Sequence, residues 1–187
     1  MWASVLRGAA PTLLPGSSVG GPAVSRVYVA IGGNVDPEHW LQVAARELRH
    51  RYPGVQFSSC YRNPAYGFEG ADFINAVAGF DTACPPEVVV GDCHQVEEIC
   101  GRRRDDPKWA PRVMDVDLLL HGDTVTETAA YRLPRPDLLR RCYMLGPLAE
   151  IAPGLRHPTT GRTIAQHWQE LAREPHSLQT IALSLNA

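Results

Sequence analysis

No stretch of the chain approaches the roughly 18 apolar residues that a membrane-spanning helix needs, and no internal repeat is present. An excess of one charge sign is missing too. With a formal net charge of -2, the chain has no global attraction for nucleic acid or anionic lipid, so an anion site has to come from a local cluster. Cysteine occurs five times, an odd number, with no C-x-x-C pair and no His/Cys ligand spacing. That distribution argues against a disulfide framework or a zinc ribbon and reads as small buried hydrophobes in a reducing compartment. Acidic residues are absent from the start of the chain through Ala23, which is rich in Gly, Pro, Ser and Ala. Gly8, Pro11 and Pro15 interrupt the apolar stretch that a secretory signal requires, so residues 1–25 read as a flexible N-terminal extension. What remains is ordinary for a globular protein, at 44% hydrophobic and 20% charged residues of 187. Residues 26–187 are therefore predicted to form a single domain.

The periodicity becomes informative at Arg26. The β-branched and aromatic run 26–31 predicts a buried strand ending at Gly32-Gly33, and Asn34 or Asp36 is placed to cap a helix with Pro37 in its first turn. Trp40, Leu41, Ala44, Ala45 and Leu48 form its apolar stripe. Strands are expected at 55–61 and 73–80, separated by a loop over 62–70. A helix opened by Pro85 and Pro86 is expected to stop at Gly101, followed by a basic loop over 102–111. Residues 112–120 read as the strongest strand, which His121-Gly122-Asp123 turns back towards Val125. Short helices are expected near 137–141, 145–151 and 163–173. Alternating strands and helices indicate an α/β or α+β sandwich with helices covering a central sheet.

Two elements carry chemistry. In the strand VMDVDLLL, a period of two puts Asp115 and Asp117 on one face, with α-carbons about 6.6 Å apart at about 3.3 Å per residue. Two carboxylates that close repel each other, and a bound cation removes the repulsion. Magnesium is usually held by one or two carboxylates, waters and substrate phosphate, so the pair suits Mg-ATP; two acids facing water on an edge strand fit the same pattern. Immediately upstream lie Arg102, Arg103, Arg104, Lys108 and Arg112. Arginine forks and lysine charges grip phosphate oxygens, so a cationic loop beside an acid pair provides both halves of a metal-triphosphate site. A solvated basic loop balanced by Asp105 and Asp106 is the alternative. Phe73, Asn75 and the 63–67 loop could form a flat slot with an amide at its edge, or could be ordinary packing and turn residues.

Taken together, the stretches YVAIGGN (28–34), SSCYRNP (58–64), DFINAV (72–77), KWAPRVMDVDL (108–118) and RCYMLGPL (141–148) resemble the 6-hydroxymethyl-7,8-dihydropterin pyrophosphokinases. The likeness runs from Val27 to about Thr163, and the W-x-P-R-x-x-D-x-D block is its most specific part. It implies a three-layer α/β/α sandwich with a ferredoxin-like core and a mostly antiparallel central sheet. It also implies a cytoplasmic, monomeric enzyme of folate biosynthesis without nucleic-acid or membrane partners, which moves diphosphate from ATP to the hydroxymethyl group of the pterin. The resemblance makes Asp115 and Asp117 ligands of two magnesium ions and gives Arg102 and Arg112 a part in the transfer. Contacts to ATP would come from His94, Glu97, Arg104, Lys108, Arg112, Arg135 and Arg141. Pterin contacts would come from Gly32, Asn63, Pro64, Tyr66, Phe73, Asn75, Trp109 and Tyr143. Loops 62–71 and 101–111 are expected to open and shut. Gly33, Asn63, Arg135 and Tyr143 depart from the commonest family residues, which are serine, threonine, histidine and phenylalanine respectively. A nucleotide-sensing module and a small RNA-binding domain are the competing classes. The first would bind ATP without forming AMP, and the second would show steep salt dependence and indifference to pterin.

Overall fold

The computed structural model describes residues 23–65, 69–102 and 111–186. Residues 1–22, most of the expected extension, lie outside that set, as do Tyr66, Arg104, Lys108 and Trp109 among the expected site residues. The elements in chain order are β1 (Ser25–Gly33), α1 (Pro37–Arg51), β2 (Gln56–Phe57), β3 (Cys60–Asn63), β4 (Phe73–Thr82), α2 (Pro86–Ile99), β5 (Asp115–His121), β6 (Thr126–Glu127), β7 (Arg132–Leu133), α3 (Cys142–Ile151), α4 (Ile164–Leu171) and β8 (Gln179–Ile181). The main sheet runs β5-β1-β4-β3-β8, with β2 also paired to β4, and its pairings are antiparallel.

Strand alternation sends Val27, Val29 and Ile31 of β1, Ala76 and Ala78 of β4, and Val116 and Leu118 of β5 to one side. There they pack with Leu41, Ala44 and Leu48 of α1 and Val89, Cys93 and Val96 of α2. Tyr28, Ala30, Val77 and Leu120 face the other way, where Met144, Leu145, Leu148 and Ile164 of α3 and α4 cover them. Helices on both faces make the three layers anticipated from the sequence. The order β1-α1-β2/β3-β4-α2-β5, with β1 and β4 central, is the ferredoxin-like arrangement.

Several local expectations are corrected. The predicted strand 55–61 is broken at Ser58, whose Oγ accepts the Val77 N–H at 2.9 Å in place of a ladder carbonyl, leaving the short β2 and β3. The strand expected from Arg112 begins only at Asp115. Residue 112 is instead held by the end of β1, where Asn34 and Val35 N–H both donate to the Arg112 carbonyl. The turn expected at 121–123 is present, closed by the Thr124 N–H to the His121 carbonyl, and the chain beyond it forms β6, which pairs with β7 in a separate two-stranded sheet. Residues 137–141 form hydrogen-bonded turns rather than a helix, and β8 was not anticipated. Asp36 stands at the N-cap of α1 in the left-handed region with no side-chain cap bond, so neither expected residue caps that helix.

Asn34 has other work. Its Nδ2 donates to the Ala71 carbonyl at 3.0 Å, and its Oδ1 accepts the Arg112 N–H at 2.7 Å. Buried just after β1, this one amide ties together the residues that precede β4 and β5.

Candidate functional site

Cross-strand register assembles the site. Gly32 of β1 is opposed on one side by Asp115 of β5 and on the other by Asn75 of β4, and Asn75 is opposed in turn by Tyr61 of β3. Directly opposed residues share a face, so Asp115, Gly32, Asn75 and Tyr61 form one row. One step along, Asp117, Ala30 and Val77 form the next row on the same face. The acid pair and the amide of Asn75 are thus two strands apart, about 10 Å by sheet spacing. Phe73 opens β4 opposite Asn63, and Tyr143 lies in the first turn of α3.

The surface between the acids and Asn75 is low because Gly32 has no side chain. A Cβ there would sit 2.1 Å from Asn75 Oδ1 and 3.3 Å from the Ile74 carbonyl oxygen. The Asn75 amide therefore lies directly over the β1 backbone, and its Nδ2 donates to Asn63 Oδ1 at 2.7 Å.

Arginines surround the carboxylates. α2 ends at Ile99 with Cys100 as its cap, and Gly101, with a φ of 87°, reverses the chain. The Arg102 N–H then donates to the Glu97 carbonyl and the Gly101 N–H to that of Glu98, the two bonds of a Schellman cap. This reversal returns the Arg102 guanidinium to Glu97, with which it forms a short ion pair, and to Asp115 Oδ1 at 2.6 Å. The second contact does not run along an N–H, and the buried Oδ1 accepts no hydrogen bond among the described residues. Arg112 Nε lies 3.9 Å from Asp115 Oδ2, and Arg135 NH1 forms an ion pair with Asp117 Oδ1 at 2.9 Å. Burial holds the Asp117 carboxyl above the ordinary aspartate range, with Arg135 and Arg102 opposing that shift and Asp115 adding to it. The Tyr143 hydroxyl is also raised, mainly by burial, and feels the charges of Arg141 and Asp117. Beyond Arg135, a cleft of about 410 Å³ is lined by Arg132, Arg140 and His157 among others.

Glu97 belongs to this cluster in a way that the pattern of α2 does not reveal. β5 is an edge strand, and Glu97 Oε1 accepts the outward Val116 N–H at 2.8 Å, covering the edge with a side chain. Burial pushes its carboxyl up to about 7, although the Val116 N–H and Arg102 both favour the ionised form. A folded-state value above the unfolded one means that the native protein holds the extra proton between pH 4.5 and about 7, so stability falls as pH rises through that window and levels off above it. Melting temperatures of the metal-free chain across this range should show the fall, and Glu97→Gln should flatten it. A slope unchanged by the substitution would remove Glu97 as its source.

His94 sits exposed one helical turn before Glu97, and Arg141 stands at the start of α3. Asn34 is the site-bordering residue that sequence reasoning misassigned. The only signal was its position directly after a double glycine, which suits a helix cap equally well. Among the described residues, no group of three or more His, Cys, Asp or Glu side chains could hold a metal ion. No helix of the described residues is long and apolar enough to cross a membrane.

Residues 28–153 match the family model described as 7,8-dihydro-6-hydroxymethylpterin-pyrophosphokinase (HPPK). The chain is 36% identical over 142 residues to a Synechocystis 2-amino-4-hydroxy-6-hydroxymethyldihydropteridine pyrophosphokinase, covering 74% of this chain and 72% of that protein. A protein of the same description from Aquifex aeolicus is 30% identical, with 81% of this chain and 96% of the relative covered. Among solved structures, wild-type Plasmodium falciparum HPPK-DHPS with pterin and p-hydroxybenzoate superposes with a TM-score of 0.63 at 11% identity, a likeness of fold. The match covers 81% of this chain but only 44% of that longer one.

Proposed function

This chain belongs to the 7,8-dihydro-6-hydroxymethylpterin-pyrophosphokinase family, and on that premise we propose that it transfers the diphosphate of ATP to the hydroxymethyl group of 6-hydroxymethyl-7,8-dihydropterin, a step of folate biosynthesis. The observation that carries the reading is the shared face: the paired acids with their arginines at one end, and the Asn75 amide over a bare glycine about two strand spacings away. A triphosphate needs the first, and a flat ring with a polar edge needs the second.

The donor set fits magnesium. Asp115 and Asp117 provide two carboxylates on one face, and magnesium asks of a protein only one or two such groups beside waters and phosphate oxygens. When bound, the ions, two in this reading, neutralise phosphate charge. The remaining work falls to the chain. Asn75, Phe73, Tyr143 and Pro64, with Tyr66 and Trp109, and Asn63 through its bond to Asn75, hold the pterin so that its hydroxymethyl oxygen faces the β-phosphorus of ATP in line. Arg102 and Arg112 turn towards the moving group and stabilise its negative charge, with AMP as the leaving group. Arg135, Arg141, Arg104 and Lys108, together with Glu97 and His94, grip the nucleotide. The oxygen forms its bond to phosphorus as the α,β-bridging P–O bond breaks, and the hydroxyl proton leaves to solvent. Arg135 replaces the imidazole common at its position with a fixed charge, which suits phosphate. The reading is completed by a single domain over 26–187, working as a monomer in the cytoplasm without nucleic acid.

The test is product formation. Incubated with ATP, magnesium and the dihydropterin, the chain should release AMP and pterin diphosphate in equal amounts. ATP binding without AMP would indicate a nucleotide-sensing module, and salt-sensitive RNA binding without any response to pterin would indicate an RNA-binding domain.

A further inference from the structure

Two side-chain amides near the acceptor end settle each other's orientation. Asn63 Nδ2 donates to the Pro64 carbonyl at 2.9 Å. A carbonyl can only accept, so this contact decides which end of Asn63 carries nitrogen. Its Oδ1 then accepts from Asn75 Nδ2 at 2.7 Å. Turning Asn75 around would bring two amide oxygens to that distance, and turning both would set the Asn63 oxygen against the Pro64 carbonyl. Only the observed pair of orientations leaves every contact attractive. The Asn75 carbonyl end consequently lies over the Gly32 backbone, where no side chain intervenes.

We propose that Asn63 is a positioning residue for acceptor selection: it commits one N–H of Asn75, so that the slot presents a fixed acceptor oxygen beside a single remaining donor. The complementary ligand edge is one that carries a donor next to an acceptor, as amino- and oxo-substituted pyrimidine rings do. This rests on the pterin assignment above and adds to it the residue that fixes the reading orientation. Rings with donor and acceptor interchanged meet like groups and are rejected, because Asn75 cannot rotate to suit them without losing the Asn63 bond.

The experiment has two arms on the full chain. In the unliganded ¹⁵N-labelled protein, Asn63→Ala should shift the Asn75 side-chain amide resonances and speed their hydrogen exchange. Asn63→Thr, whose hydroxyl oxygen still accepts, should restore most of both. Calorimetry with 6-hydroxymethyl-7,8-dihydropterin, in the presence of magnesium and a nonhydrolysable ATP analogue, should show Kd rising about five- to tenfold in Asn63→Ala, as expected for one lost hydrogen bond. Threonine should recover it, and the Asn63→Ala effect should vanish in an Asn75→Ala background. Unchanged Asn75 resonances in Asn63→Ala overturn the lock, and a penalty that persists without Asn75 overturns action through it. An unaltered chain that takes up no pterin overturns the functional reading and the selectivity with it, a result separable from the first arm, which needs no ligand.

Discussion

Asp117→Ala is expected to lower AMP formation from ATP and the dihydropterin by about 10²–10³-fold or more, the scale on which removing one preorganised electrostatic group slows transfer. The melting temperature should move far less. Asp117 is a partly buried carboxylate whose ionised form is disfavoured by burial and by Asp115, and Arg135 offsets that cost in the folded chain. Removing the acid relieves the repulsion while leaving a guanidinium that is itself about 30% exposed and able to reach water. A large loss of turnover on a chain that still melts cooperatively is therefore the expected signature. Turnover within a few fold of the parent would sink the metal-binding role of the β5 acids.

Gly32→Ala should be nearly as damaging, at the other end of the site. The added methyl carbon would stand 2.1 Å from Asn75 Oδ1 and 3.3 Å from the Ile74 carbonyl oxygen. The second contact is with backbone held in the β1–β4 ladder, so the side chain has to yield. Asn75 must then leave its place and lose the 2.7 Å bond to Asn63. Overpacking of this kind costs about 1–3 kcal/mol, and a displaced reading amide should weaken pterin binding by about 10–100-fold. Calorimetry should show that loss with nucleotide affinity changed only a few fold. Unaltered pterin binding would mean that Asn75 does not read the ring.

How far these features were legible in the sequence depends on the range of the interaction behind them. The facing of Asp115 and Asp117 follows from the two-residue period of a strand and could be read directly. The chain reversal at Gly101 that closes α2 followed from local chemistry, because only glycine takes the reversed conformation cheaply. Gly32 reads from the sequence as the end of a strand, but it lies within β1 and its reason lies across the sheet in Asn75, which no local pattern reveals. Glu97 looked like one more residue of an amphipathic helix, and its capture of the Val116 N–H depends on β5 lying at the sheet edge. The break at Ser58 and the late start of β5 are similar cases. In each, a side chain or backbone group distant in sequence takes a hydrogen bond that strand propensity alone would assign to the ladder.

Asn34 gives the rim of the site a single keystone. The ends of two loops that never touch in sequence, at Ala71 and Arg112, come down on opposite ends of one carboxamide group. The spacing between the Ala71 carbonyl and the Arg112 N–H is therefore set by the span of one planar group.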